Sequence, residues 1–320
     1  MATRRASKIW IAAAFCAAGT VPAYASVSDR LVIPFEINRF DHMVVEMQIN
    51  GAAMTSGVVD TAATFAMVDS AVAARSGVQP PGEGARRVNI LGVNGEGDYP
   101  VVHLETVLTG NARIKAMDAA YVEGIDVPGV ASNVLPASAF PGDVLEFDFD
   151  SGTISAYDGK PDVHDRRYAD SVPYTVEGGL IFVDIRVNGR KGRGLIDTGA
   201  SLSYVNSAFA KRASMRRNDD LTRQLLGATG DTQDAWIVSV RQIRLADFVV
   251  ERPDLLVSDP VLLEKLGLSE EPIMVLGLDF LSRFRLQFDR PNENLILSLP
   301  QKAVVGVDLK LNVDATRLKR

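Results

Sequence analysis

Two aspartates end short apolar runs, and each is followed by a threonine and a small residue: Val58-Val59-Asp60-Thr61-Ala62 and Leu195-Ile196-Asp197-Thr198-Gly199. Ending a buried strand on a carboxylate is costly, because an ionised group out of water is destabilised. Two such carboxylates brought together cannot both ionise cheaply, so one pKa falls, the other rises, and the pair shares a proton. A pair of this kind can do both halves of a hydrolysis. The ionised member takes a proton from a water held between them, and the protonated member donates to the carbonyl oxygen of the scissile bond. The chemistry calls for no metal, no cofactor and no covalent intermediate. Taken singly, either aspartate is as well read as a turn cap accepting backbone N–H bonds. The matched pair is what points to chemistry.

The elements that must position the pair come from a long internal repeat. Asp60 and Asp197 lie 137 residues apart, and their surroundings match. Before each comes a strand, an Asn-Gly turn and a second strand, VVEMQINGAAMTSGVVD against FVDIRVNGRKGRGLID, which is a hairpin signal. After each comes a short helix, DSAVAARSGV with Asp69 or Ser70 as cap and Gly77 as stop, and NSAFAKRASM with Asn206 or Ser207 as cap. Both halves then carry Leu-Gly, a polar tip and alternating strands, LGVNGEGDYPVVHLETVL and LGATGDTQDAWIVSVRQIRL. Each half closes with similar strands, in which Phe149-Asp150 is matched to Phe288-Asp289. Short alternating strands separated by Gly, Asn, Asp and Pro turns predict mostly β lobes with small helices. The polar stretch 157–171 reads as the linker, which divides the chain into an N-terminal lobe over 26–160 and a C-terminal lobe over 161–320. VVGVDLKLNVD, near the end, reads as one more strand.

Apolar-apolar-Asp-Thr-Gly-Ala-Ser, a helix, a hairpin and then VLGLDFL resemble the signature of the retropepsin-like aspartic peptidases. The tandem arrangement resembles the two-lobed pepsin-like acid protease fold, built from two retropepsin-like β-barrel lobes. The resemblance covers nearly all of residues 30–300 as a pattern and is specific in a few short blocks. It implies that Asp60 and Asp197 are catalytic, one from each lobe, sharing a proton in the way for which aspartic proteases are the general example. It implies that Thr61 and Thr198 lock the two loops through their hydroxyls, with Ala62, Gly199 and Gly277 as loop support. Gly199 would let backbone and substrate approach closely, having no Cβ. The hairpin at 91–101 resembles a flap, and lobe 2 has its own near 226–238. Gly92, Gly199, Ala200 and Gly227 are the implied substrate-binding positions. The implied partner is an extended polypeptide bound by strand addition, with one chain acting as a monomer that holds both lobes.

The first lobe departs from this pattern twice. Ala62 stands where Gly is expected, a change that is tolerable where φ is negative and costly where it is not. Pro136, in NVLPAS, stands where the second half has Gly277, and it removes a backbone donor. These departures motivate a second reading, a catalytically decayed peptide-binding module on the same fold.

The remaining chemistry-bearing residues have plainer readings. His42, His103 and His164 share no metal-ligand spacing and are read as surface or half-buried structural residues. Asp148 and Asp150 alternate with aromatics as a solvated strand face would. GVNGEG is followed by no helix, so a phosphate loop is not expected. Ser201 and Ser203 lack a nucleophile-elbow frame. Trp236 reads as core or edge packing.

Residues 1–25 combine a basic start, an apolar middle and Ala23-Tyr24-Ala25, which reads as a cleavable signal peptide. Arg4-Arg5 is similar to the start of a twin-arginine signal but lacks the apolar pair that follows one. The alternative is an anchor that is retained. Cys16, the chain's single cysteine, falls in this segment, so no disulfide framework and no cysteine nucleophile are expected beyond it. The expected location is periplasmic or secreted. Without the leader, 31 Lys+Arg face 40 Asp+Glu, a net charge of −9. No basic run suits nucleic acid, and the length fits about two domains.

Overall fold

The computed structural model describes residues 8–11, 29–91, 96–123, 132–227, 232–300 and 318–319. It is mostly β, with two lobes of the same plan. In the first, the hairpin Met43–Ile49 and Thr55–Asp60 turns at Asn50-Gly51, where both residues have positive φ. In the second, Leu180–Val187 and Arg190–Ile196 turn at Asn188-Gly189, again both with positive φ. This is the backbone that an Asn-Gly pair adopts at low cost. The helices fall where the caps were read. Ser70–Arg75 starts at Asp69, whose carboxylate accepts from Ala71 N and Val72 N, and Ser207–Arg212 starts at Asn206, which accepts from Phe209 N.

A single antiparallel sheet joins the lobes. Its strands run in the order Leu31–Ile37, Thr153–Tyr157, Val144–Asp148, Arg285–Asp289, Asn294–Ser298 and Ala169–Glu177. The two central strands come from different lobes, and Glu146 lies opposite Gln287 at their middle. The outer strands each serve two sheets. Leu31–Pro34 pairs in the shared sheet and Phe35–Ile37 in lobe 1; Ala169–Pro173 and Tyr174–Glu177 divide in the same way. Pro34 and Pro173 sit at the two crossing points. Proline has no N–H to continue a ladder, so the strand can leave one sheet there for another.

The shared sheet corrects two readings. Its register makes Phe147-Asp148, not Phe149-Asp150, the counterpart of Phe288-Asp289, since Asp148 faces Thr153 across its hairpin as Asp289 faces Asn294. The polar linker is also shorter than read, because Ala169–Ser171 already pair with Ser298–Ile296. The face that turns to the core stacks Phe147 edge-on to Phe288 at 6.0 Å, with Tyr174 edge-on to Phe288 at 6.2 Å. The opposite face buries Glu146, which takes Arg30 at 2.8 Å, Arg285 at 2.7 Å and the Gln287 amide at 2.8 Å.

Of the segment read as a leader, Lys8–Ile11 is described, as a strand parallel to Gln224–Gly227; the rest of 1–25, and the strand read at 304–314, lie outside the described residues. Among the described residues no helix is long and apolar enough to cross a membrane.

Candidate active site

Each aspartate is delivered by the second strand of a hairpin, held on its other side by a short parallel strand. Thr55–Asp60 pairs with Val134–Pro136, and Arg190–Ile196 with Ile273–Leu276. Runs such as Gly-Leu-Ile and Ile-Met-Val-Leu suit strands covered on both faces, and these are fully buried at their inner ends. The chain turns immediately after each strand, so the two Asp-Thr corners meet between the lobes.

The corners are bound by a reciprocal set of hydrogen bonds. Thr61 N donates to Thr198 Oγ1 at 3.1 Å, and Thr198 N donates to Thr61 Oγ1 at 3.0 Å. Each hydroxyl then donates onward across the lobes, Thr61 to Ile196 O at 2.8 Å and Thr198 to Val59 O at 2.9 Å. Every polar atom of the two threonine hydroxyls is used. A β-branched residue holds χ1 stiffly, which suits a side chain that must accept and donate along fixed directions.

Asp60 and Asp197 are fully buried. The Oδ1 of Asp60 accepts from Ala62 N at 2.7 Å, that of Asp197 from Ala200 N at 2.9 Å, and Gly199 N–H is directed at both carboxylates. The Oδ2 of each is buried and receives no N–H or O–H donor from elsewhere in the described residues, and the two side chains hydrogen-bond each other. Burial raises both carboxyl groups above their ordinary range, and the charge of Asp60 lifts Asp197 further. The inner oxygens are therefore fixed by the backbone, and the outer oxygens are not. Tyr204, 1% exposed, lies close enough to Asp197 for the carboxylate to raise its phenol beyond the effect of burial.

Ala62 does not have positive φ, so its methyl group brings no backbone strain. It is buried in an apolar cluster that spans the lobes and includes Leu91, Leu180, Phe182, Ala200 and Tyr204. Its N–H still serves Asp60. Gly277 is a different case. A Cβ there would stand 2.6 Å from Leu202 C and 2.9 Å from Ala200 O, so the backbone of the Asp197 loop leaves it no room. Around it runs a polar relay: Gly277 N donates to Ser203 Oγ at 2.9 Å, and Ser203 Oγ donates to Asp279 Oδ1 at 2.6 Å. Burial raises the Asp279 carboxyl. Asp279 belongs to a block that the sequence made conspicuous, but its role was not read.

In lobe 1 the positions of Ser203, Gly277 and Asp279 are held by Ala66, Pro136 and Ser138. Pro136 has no N–H to donate, and Ala66 has no hydroxyl to receive one. Removing both partners of a buried hydrogen bond is nearly neutral, whereas removing one is expensive. The proline is thus matched by its neighbour. The turn that follows it is braced from lobe 2, where Arg290 donates to Phe140 O at 2.7 Å, Gly142 O at 3.0 Å and Ala137 O at 3.1 Å. The signal for this exchange was present in the aligned repeat, DTGASLS against DTAATFA, where Ser203 becomes Ala66.

The flap-like hairpin pairs Arg87–Leu91 with Glu96–Pro100, and Glu96 reaches Lys265 of lobe 2 at 3.2 Å. Gly92 lies outside the described residues. Gly227 ends the strand Arg217–Gly227, whose hairpin partner is Thr232–Ser239. His103 and His164 are exposed, beside Asp118 and Asp162. His42 differs from its reading: it is 2% exposed and packs between the lobes, because the turn that carries it closes onto the Asp197 loop. Trp236 packs against the main core. Asp148 caps its own turn, accepting from Asp150 N and Ser151 N. Among the described residues, no three His, Cys, Asp or Glu side chains form a metal-binding group.

Comparison of the sequence with curated proteins finds no match. A family model described as aspartyl protease matches the chain twice, over residues 45–135 and 183–280, and each segment contains one Asp-Thr corner, the first segment ending just before Pro136. The two matches cover more than half of the chain, which therefore belongs to the aspartyl protease family.

Proposed function

We propose that the protein is an aspartic endopeptidase in which Asp60 and Asp197 activate one water for attack on a peptide carbonyl. The observation that carries this reading is the pairing of two buried carboxyl groups that are fixed by backbone N–H on their inner oxygens and hydrogen-bonded to each other. Such a pair holds one proton over a range of pH, since ionising one member raises the other. The ionised member removes a proton from the water, and the protonated member donates to the carbonyl oxygen. Thr61, Thr198, Ala62, Gly199 and Gly277 keep the two corners in place. The substrate is an extended polypeptide, added as a strand beneath the flap hairpin and seated near Gly92, Gly199, Ala200 and Gly227. The chain works as a monomer with no nucleic-acid partner, and residues 1–25 direct it to the periplasm or outside the cell.

The test is cleavage of a diverse peptide mixture by the purified protein from pH 3 to 8, read by mass spectrometry. Asp60→Asn and Asp197→Asn are run alongside. The proposal expects cleavage by the parent with a bell-shaped pH profile and loss of at least a thousandfold in both variants. A folded parent that binds peptides but cuts none would instead make this a decayed peptide-binding module.

A further inference from the structure

The turn 38–42 joins the strand Leu31–Ile37 of the shared sheet to the first strand of the lobe 1 hairpin. It is stiffened by Asn38, whose side-chain oxygen accepts from Phe40 N at 2.9 Å and from His42 N at 3.1 Å, while Asn38 N donates to His42 O at 3.0 Å. The turn presents His42 inward. Its Nδ1 lies 3.0 Å from Ser201 Oγ, in the other lobe, and Ser201 Oγ is also 3.4 Å from Phe40 O. Ser201 has one hydroxyl proton to give, to Nδ1 or to Phe40 O. Either choice ties it to the 38–42 turn. Both side chains are buried, with His42 2% and Ser201 5% exposed.

Ser201 stands inside the loop that holds Asp197. Ala200 N donates to Asp197 Oδ1, while Ala200 O and Ser201 O accept from Leu278 N at 2.8 Å and Asp279 N at 3.2 Å. The loop is thus held by its own lobe through backbone carbonyls and by the opposite lobe through the Ser201 side chain. The same contact recurs across the pseudo-twofold axis in a different chemistry. The turn Gly178-Gly179 of lobe 2 abuts Thr64, the lobe 1 counterpart of Ser201, so closely that a Cβ on Gly179 would stand 2.7 Å from Thr64 Cγ2. Each lobe's leading turn therefore rests on the other lobe's Asp-Thr loop, and in one of the two contacts the join is a buried imidazole. Burial keeps that imidazole neutral, with its pKa lowered to about 4. An apolar residue would fill the space at less cost in desolvation; the imidazole adds a directed hydrogen bond.

We propose that His42 is a positioning residue for the Asp197 loop, acting from the opposite lobe through Ser201 to keep Ala200 N–H on the Asp197 carboxylate. The proposal rests on the reading of Asp60 and Asp197 as the reacting pair. His42 touches neither substrate nor water in this role, and its removal should act on turnover rather than on peptide binding.

The experiment compares His42→Leu, His42→Asn, Ser201→Ala and the double variant His42→Leu/Ser201→Ala, by peptide cleavage and by carbon-13 titration of the aspartate carboxyl groups. Loss of one directed hydrogen bond is expected to lower kcat about tenfold in His42→Leu and in Ser201→Ala, with KM within about twofold of the parent. The double variant should be no worse than Ser201→Ala alone, because that change already removes the contact with His42. His42→Asn, which keeps a polar atom near the Nδ1 position, should recover most of the loss. The lower of the two ionisations of the pair should move to higher pH in His42→Leu, as Asp197 loses part of its N–H bond. Parental kcat with an unshifted titration overturns the proposal, and so does a double loss equal to the product of the single ones. A parent that cleaves nothing defeats the peptidase reading alone. The titration then decides, a shift sustaining the positioning role and no shift overturning it. If His42→Leu does not fold, Ser201→Ala, which removes one oxygen, carries both measurements.

Discussion

Replacing Thr198 by valine keeps the shape of the side chain and deletes its hydroxyl. Two buried backbone groups lose their partner at once: Thr61 N, which donates to Thr198 Oγ1 at 3.1 Å, and Val59 O, which accepts from it at 2.9 Å. Each buried group left unsatisfied costs about 1–3 kcal/mol, so Thr198→Val should destabilise the protein by about 2–6 kcal/mol. Thr61→Val strands a different pair, Thr198 N and Ile196 O, and should cost a similar amount. The double variant should lose less than the sum, because once one corner is released the other is no longer held in place, and a coupling of about 0.5–3 kcal/mol is the usual range for residues in one network. Urea unfolding reads this directly. With a slope of about 3 kcal/mol/M, either single change lowers the midpoint by about 0.7–2 M without altering the slope. Cleavage should fall as well, since a displacement of about 1 Å at a reacting group can cost about 100-fold. A midpoint unchanged in Thr198→Val would mean that the shared sheet alone holds the lobes together, and the locking argument would be wrong.

Gly277→Ala should cost more than a surface change of the same size, about 1–3 kcal/mol as for other overpacked sites, because its Cβ would meet the backbone of Leu202 and Ala200 rather than movable side chains; Pro136→Gly should also cost about 1–3 kcal/mol in the same urea assay, because it creates a buried N–H that finds no hydroxyl at Ala66. The carboxyl pair makes stability depend on pH. Its folded pKa values lie above the unfolded ones, so it contributes stability that is fully present below the unfolded pKa of about 4 and is lost as pH rises through the folded values. Asp197→Asn should therefore raise the melting temperature above that of the parent at pH 8, with the advantage shrinking toward pH 4; a variant less stable than the parent at pH 8 would contradict the sign.

Much of the site could be read from the sequence because its signals are local. Asn-Gly places the turn of each hairpin, Asp69 and Asn206 cap the helices, and an Asp-Thr corner repeated after 137 residues singles out the pair. What was missed depends on contacts distant in the chain. The burial of His42 follows from Ser201, 159 residues away. The shared sheet alternates strands of both halves, and no local pattern gives its order. The mismatch of Phe149 with Phe288 arises because Phe-Asp repeats with the period of a strand; sliding by two residues keeps every side chain on its own face, so only the pairing itself fixes the register. Pro136 read as a defect because its compensation at Ala66 lies on another strand.

The middle of the shared sheet has a consequence for which halves can associate. Glu146 faces Gln287, and its charge is met by Arg30 from its own half and by Arg285 from the other. Two copies of the first half, meeting in the same register, would set Glu146 against Glu146 and forfeit Arg285, and like charges directly opposite are destabilising. Two copies of the second half would set one amide against another, with no such penalty. A single residue at the axis thereby disfavours the pairing of two first halves.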